Sequence, residues 1–241
     1  VRLDYVEFYI TNVCNLTCEG CNRFNNYKFK GYQRWDDYKE IYKEWGKELR
    51  VNNIAILGGE PLLNPDFTKW LTGIQNIWPD SRIEIVTNGY RLNYIKGLYD
   101  QLNDNKNLWL NVGIHNKQSK KLILENIKNF LVEPLRFEYN QQNKYGQFLY
   151  ITDANNVKIK VEYNWWFHQG ALIKEENKFG LHQSDVKKAH DICHMKTCHH
   201  FIEGKLYKCG VVALLPKFAE QFQLQLSAED KELMLNYVPL S

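Results

Sequence analysis

Residues 5–24 read YVEFYITNVCNLTCEGCNRF, and this stretch decides the fold. Its first half, 5–11 (YVEFYIT), is dense in β-branched and aromatic residues, the composition of a buried strand. Its second half places Cys14, Cys18 and Cys21 in one loop directly after that strand. The spacing is C-x3-C-x2-C. Three thiolates so close together can wrap one metal centre from a single loop, and thiolates select zinc, copper(I) or iron–sulfur clusters. Structural zinc sites usually take paired C-x2-C knuckles, which the x3 gap fits poorly. On a four-iron cluster, three cysteines leave one iron open to another molecule.

Outward from this loop, strand and helix signals alternate. Trp35, Tyr38, Ile41, Tyr42 and Trp45 recur at helical spacing. Residues 54–57 form a short apolar strand ending at Gly58-Gly59. Asn64-Pro65 reads as an N-cap with Pro at the first helical position, ahead of an apolar face of Phe67, Trp70, Leu71, Ile74, Ile77 and Trp78. Residues 82–87 (RIEIVT) are strand again, ending at Asn88-Gly89. Leu92, Ile95, Leu98, Tyr99 and Leu102 predict one further helix. Residues 108–115 (LWLNVGIH) are a fourth strand, and Ser119 an N-cap for a fourth helix. Four βα units in roughly 130 residues predict a parallel sheet or barrel with right-handed crossovers. Beyond them, residues 148–152 and 157–163 flank Ala154-Asn155-Asn156 as a hairpin.

The motifs fall at the strand ends. Gly58-Gly59-Glu60 follows the second strand, Thr87-Asn88-Gly89 the third, and His115 ends the fourth. Together with C-x3-C-x2-C they resemble the signature of the radical S-adenosylmethionine (radical SAM) superfamily, over about 115 residues, with a strand pattern extending to about 165. The resemblance implies an α/β fold: a partial (β/α)6 TIM-like barrel with its chemistry at the C-terminal strand ends. It implies a [4Fe–4S] cluster on Cys14, Cys18 and Cys21 and S-adenosylmethionine on its open iron. Gly58 and Gly59 would let the backbone approach that cofactor, and Glu60 would accept from its methionyl ammonium. Thr87, Asn88 and His115 would line the cofactor site, with Glu162 and Asn164 reaching it from the fifth strand. The implied activity is reductive cleavage to a 5′-deoxyadenosyl radical that abstracts a hydrogen atom from substrate. One departure stands out: where the family often has an aromatic before its third cysteine, this chain has Gly20, and Phe24 or Tyr27 is the expected substitute against adenine.

The remaining cysteines, Cys193, Cys198 and Cys209, lie in DICHMKTCHHFIEGKLYKCGV. Residues 202–208 predict a short hairpin with Glu203-Gly204 at its tip, folding Cys209 back beside Cys198. This resembles the C-terminal auxiliary-cluster regions of many radical SAM enzymes and implies a second iron–sulfur cluster. Its fourth partner stays open between a bare iron, His190, His194, His199 or His200, and a cysteine beyond Ser241; zinc on three cysteines and a histidine is the other reading. The expected organisation is a barrel over 1–180 and an auxiliary region over 181–241. Trp165, Trp166 and His168 are expected at the substrate pocket or in the core.

The composition is that of a folded chain: 241 residues, 44% hydrophobic and 24% charged. Lys+Arg of 31 against Asp+Glu of 28 leaves +3, which argues against a large nucleic-acid partner. Six cysteines are too few for a disulfide scaffold of this length. There is no apolar run of the roughly 18–20 residues that span a membrane and no secretory signal, so the expected address is the reducing cytoplasm. The ends, VRLDYVEFYI and NYVPLS, leave open that both are trimmed. The expected partners are a reductant such as flavodoxin or ferredoxin and a substrate, with a peptide or protein side chain favoured and a nucleoside or small metabolite as the alternative. A non-catalytic iron–sulfur or zinc protein is the third reading, disfavoured because a carrier has no need of Gly-Gly-Glu.

Overall fold

The computed structural model describes the chain except residues 19, 133–135, 144–145, 156, 164–171, 176–177, 182–184, 194, 225 and 236. At 26, 136–143, 146–149, 172–175, 178–181, 186, 230 and 233–235 it describes the backbone alone. The elements run β1 (Arg2–Tyr9), α1 (Trp35–Glu48), β2 (Arg50–Leu57), α2 (Phe67–Ile77), β3 (Arg82–Thr87), α3 (Leu98–Asp104), β4 (Leu108–Ile114) and α4 (Lys120–Phe130). There follow β5 (Arg136–Asn143), β6 (Gly146–Thr152), β7 (Lys158–Tyr163), β8 (Leu172–Glu175), β9 (Lys178–Leu181) and α5 (Val186–Ile192). The chain finishes with β10 (Cys198–Ile202), β11 (Lys205–Tyr207), α6 (Gly210–Phe222) and α7 (Ala228–Leu235).

Nine strands form one open sheet in the order β11-β10-β1-β2-β3-β4-β7-β6-β5. The run β10-β1-β2-β3-β4-β7 is parallel throughout, and an antiparallel hairpin strand or pair closes each edge. This is the expected partial barrel. The sixth parallel strand, β10, does not follow β7 but returns to the far edge beside β1, pairing Tyr5 with Cys198 and Glu7 with His200. Both expected hairpins form: β6–β7, and β10–β11 with Glu203 and Gly204 in left-handed backbone at its tip. No helix among the described residues is long and apolar enough to cross a membrane.

Alternation sorts the two faces of the sheet. Val6 and Phe8 of β1 point under α1 and α2, where Phe8 meets Tyr42, Trp78 and Phe201 at ring separations of 5.2, 5.4 and 5.0 Å. The opposite face packs a second apolar cluster, Tyr9, Leu57, Ile202, Leu214 and Phe218, beneath α6. Burying a side chain of this size fully is worth about 1.5–3 kcal/mol, so two such layers are what hold the sheet's edge strands in place.

Three local expectations shift. The predicted helix over 92–102 is broken: a 3-10 turn at Leu92–Tyr94 precedes Gly97, whose φ of 73° ends one segment and starts α3. Helix α2 begins at Phe67 after Asp66, not at Pro65. Asn64 is instead a buried clamp, its Nδ2 donating to Ile10 O and Gln33 O at 2.7 and 3.0 Å and its Oδ1 accepting from Asp66 N at 2.8 Å. Ser119 holds the N-cap position of α4, but its hydroxyl donates back to Asn116 O at 3.0 Å.

Candidate active site

The C-terminal ends of the parallel strands border one cavity of about 700 Å³. Cys14, Cys18 and Cys21 reach it from the loop after β1, Gly58 and Gly59 from β2, Thr87 and Asn88 from β3, His115 from β4 and Glu162 from β7. Residues scattered over nearly 150 positions thus face one space because each ends, or sits on, a neighbouring parallel strand.

The double glycine has a use that its sequence does not reveal. A Cβ on Gly59 would lie 2.4 Å from Val13 O and 2.9 Å from Cys14 Cβ, and one on Gly58 2.6 Å from Thr11 O. The turn and the cysteine loop are also stitched together, Gly59 N donating to Thr11 O and Glu60 N to Val13 O, each at 2.8 Å. The close approach these glycines permit is therefore to the cysteine-bearing backbone, as well as to whatever fills the cavity.

Glu60 stands behind the cavity wall and does not line it. It is 1% exposed, and its carboxylate accepts from Leu62 N at 3.1 Å, Thr87 Oγ1 at 2.7 Å and Asn88 N at 2.8 Å. In this structure its contacts brace the Thr87–Asn88 turn, whereas the sequence had it meeting the cofactor ammonium directly. Burial, the largest influence, lifts its pKa to about 7 against the pull of those donors.

The three cysteines are free, and burial lifts two of their thiols: Cys14 is pushed up to about 12 and Cys18 is also raised. Such thiols become ligands when a metal's charge replaces the proton. Among the described residues no three His, Cys, Asp or Glu side chains converge on one point as a single ion requires. Three separate thiols bordering one cavity suit a cubane, where each iron takes its own cysteine. The donor set fits the four-iron cluster.

The second trio is less assembled. Cys193 is exposed at the end of α5, Cys198 is buried at the start of β10, and Cys209 is the residue before α6. Burial raises the pKa of Cys198, and Cys209 lies close enough for its charge to add to that rise. Of the histidines weighed as a fourth partner, His190 is exposed on α5 and His199 half-buried. His200 is buried with Nδ1 on Glu7 at 2.8 Å, and His194 lies outside the described residues. Asn164, Trp165, Trp166 and His168 also lie outside them. Phe24 and Tyr27 are corrected: neither borders the cavity, and both dock the loop on α6 through Phe218 at 4.8 and 5.0 Å.

Sequence reasoning passed over the polar inner wall. Tyr5, Glu7, Arg23, Glu84, Asn111 and Lys160 all border the cavity. Glu7 accepts from Arg23 at 2.6 Å and from His200 at 2.8 Å. Burial alone would raise Glu7, yet Arg23 and His200 outweigh it and hold it at about 2. His115 is also lowered, by burial, to about 4. A signal was present: central parallel strands should be apolar on both faces, and Glu7 of β1, Glu84 of β3, Asn111 of β4 and Lys160 and Glu162 of β7 break that rule on the cavity side.

Comparison with known proteins gives the family. The family model described as the Radical SAM superfamily matches residues 8–130, which hold all the motifs of the first site. The chain belongs to the radical SAM superfamily. Membership makes it an enzyme of that class, with a [4Fe–4S] cluster and S-adenosylmethionine as cofactors. It is 28% identical over 102 residues to the GTP 3′,8-cyclase of Nautilia profundicola, covering 41% of this chain and 32% of that one. It is 23% identical over 239 residues to a probable GTP 3′,8-cyclase of Sulfolobus acidocaldarius, covering 90% and 74%. Against two of its curated relatives the chain spans 32% and 49% of their length. Among solved structures it is similar to Streptococcus suis SuiB bound to S-adenosylmethionine, at 23% identity and a TM-score of 0.40 over 50% of this chain and 27% of that one.

Proposed function

We propose that this chain reductively cleaves S-adenosylmethionine and uses the resulting radical to abstract a hydrogen atom from a nucleotide or similar small metabolite. The observation that carries the reading is the meeting of three free thiols with the Gly-Gly-Glu and Thr-Asn-Gly turns around one cavity. The sequence favoured a peptide or protein side chain as substrate. The curated relatives are named for GTP, which supports the small-molecule alternative instead. The cluster, when bound, supplies the electron that breaks the carbon–sulfur bond.

The chain's own residues do the holding. Cys14, Cys18 and Cys21 ligate the cluster; Gly58, Gly59, Thr87, Asn88, His115 and Glu162 surround the cofactor; Glu60 keeps the Thr87–Asn88 turn in place. His115 with its lowered pKa is neutral at pH 7 and presents no competing charge beside a sulfonium. Cys193, Cys198 and Cys209 form an auxiliary metal region within 181–241, whose β10 also completes the parallel sheet begun within 1–180, and a flavodoxin or ferredoxin in a reducing cytoplasm delivers the electron.

The test is anaerobic reconstitution with iron and sulfide, then dithionite and S-adenosylmethionine, with and without GTP. Formation of 5′-deoxyadenosine, lost in Cys14→Ala, is expected. An intact cluster that yields none would sink the reading. Cys209→Ala should still cleave the cofactor but fail on substrate; full turnover by that variant would remove the second trio from the mechanism.

A further inference from the structure

Among the described residues three carboxylates border the cavity: Glu7, Glu84 and Glu162. Glu7 is paired with Arg23 and Glu162 with Lys160. Glu84, on β3 between the buried Ile83 and Ile85, has no cationic partner within salt-bridge distance among the described residues. Its Oε1 accepts from the Asn111 amide at 2.7 Å, and the same amide donates to Glu162 Oε1 at 3.1 Å. Its Oε2 accepts nothing among the described residues. Burial is the largest influence on this carboxyl and raises its pKa, while Lys160 and Arg82 act on it only through space; drawing a carboxylate out of water with no ion pair in contact is costly. A group kept at that cost on the wall of a cavity, and already oriented by a neighbouring amide, is built to meet a ligand.

We infer that Glu84, oriented by Asn111, is a specificity-determining residue that accepts a pair of parallel N–H donors from the substrate, as the N1–H and 2-amino group of a guanine base present them. This inference rests on the nucleotide reading above. A carboxylate offers about four lone-pair sites, of which Asn111 takes one, so both oxygens can still accept side by side in the forked geometry that arginine uses. Hypoxanthine lacks the second donor. Adenine sets an acceptor nitrogen where the first donor is required.

The experiment is calorimetric titration of the anaerobically reconstituted protein with GTP, ITP and ATP. GTP is expected to bind about ten- to a hundredfold more tightly than ITP, the range a charge-assisted hydrogen bond commands. Glu84→Gln should erase that difference by weakening GTP, while keeping its iron. If Glu84→Gln does not load iron, Glu84→Asp, which keeps the charge, carries the same comparison with a reduced preference. Equal binding of GTP and ITP by the unaltered protein, or a preference that survives Glu84→Gln, overturns the assignment and leaves the nucleotide reading standing. Binding of none of the three overturns the nucleotide reading and this inference with it.

Discussion

Glu60 accepts a hydrogen bond from Thr87 Oγ1 at 2.7 Å, tying the turn after β2 to the turn after β3 beneath the cavity. With the 2.8 Å bond from Asn88 N to the same carboxylate, it makes the position of one cavity wall depend on a side chain that does not line the cavity. Glu60→Gln keeps one acceptor but turns an amide N–H toward one of these donors. The expected outcome is a stability loss of about 1–3 kcal/mol and weaker binding of S-adenosylmethionine, with the three thiols untouched. Urea unfolding and calorimetry read the two effects. Unchanged cofactor affinity would show that the turn holds itself.

Gly59→Ala tests the contact between the second strand's turn and the cysteine loop. Its Cβ would enter backbone, at 2.4 Å from Val13 O, with Cys14 Cβ at 2.9 Å. Overpacking of this kind costs about 1–3 kcal/mol, and relief requires moving Cys14. Iron bound after reconstitution should therefore drop. Gly97→Ala is the control: it has φ of 73° but open space around it, so a backbone penalty of about 1–2 kcal/mol should leave iron loading intact. Equal iron in both variants would refute the coupling.

Acid should destabilise the fold in two stages. Burial holds His200 below its ordinary value of 6.5, so its contribution fades as pH falls below 6.5 and the unfolded chain takes up the proton. Burial raises Glu7, but Arg23 and His200 bring it down from 4.5 to about 2, so its contribution is present above 4.5 and lost as pH falls toward 2. The second stage is worth on the order of 3 kcal/mol. Urea midpoints of the metal-free chain from pH 7 to 3 should decline throughout, most steeply below 4.5. In Glu7→Gln the steep limb should disappear; its persistence would assign acid lability elsewhere.

What could be read from residues alone was whatever is settled within a few neighbours along the chain. The C-x3-C-x2-C spacing keeps three thiols in one loop, the 3.6 and 2 periodicities separate helices from strands, and Glu203-Gly204 makes a hairpin tip whatever surrounds it. The four strand-end motifs followed, because parallel strands joined by helices present all their C-terminal ends on one side.

Only the tertiary structure decided which groups meet across the chain. Pairing of β10 with β1 brings Glu7 to His200 across 193 positions, and no local preference encodes that choice of sheet edge. Glu60 turned inward because three donors from two strands converge there. Phe24 went to α6 because Phe218 offered a buried aromatic partner. That Glu84 has no ion-pair partner among the described residues is visible only once its neighbours are placed. In each case the deciding energy is burial or the matching of a buried polar group, and these depend on what the fold puts opposite.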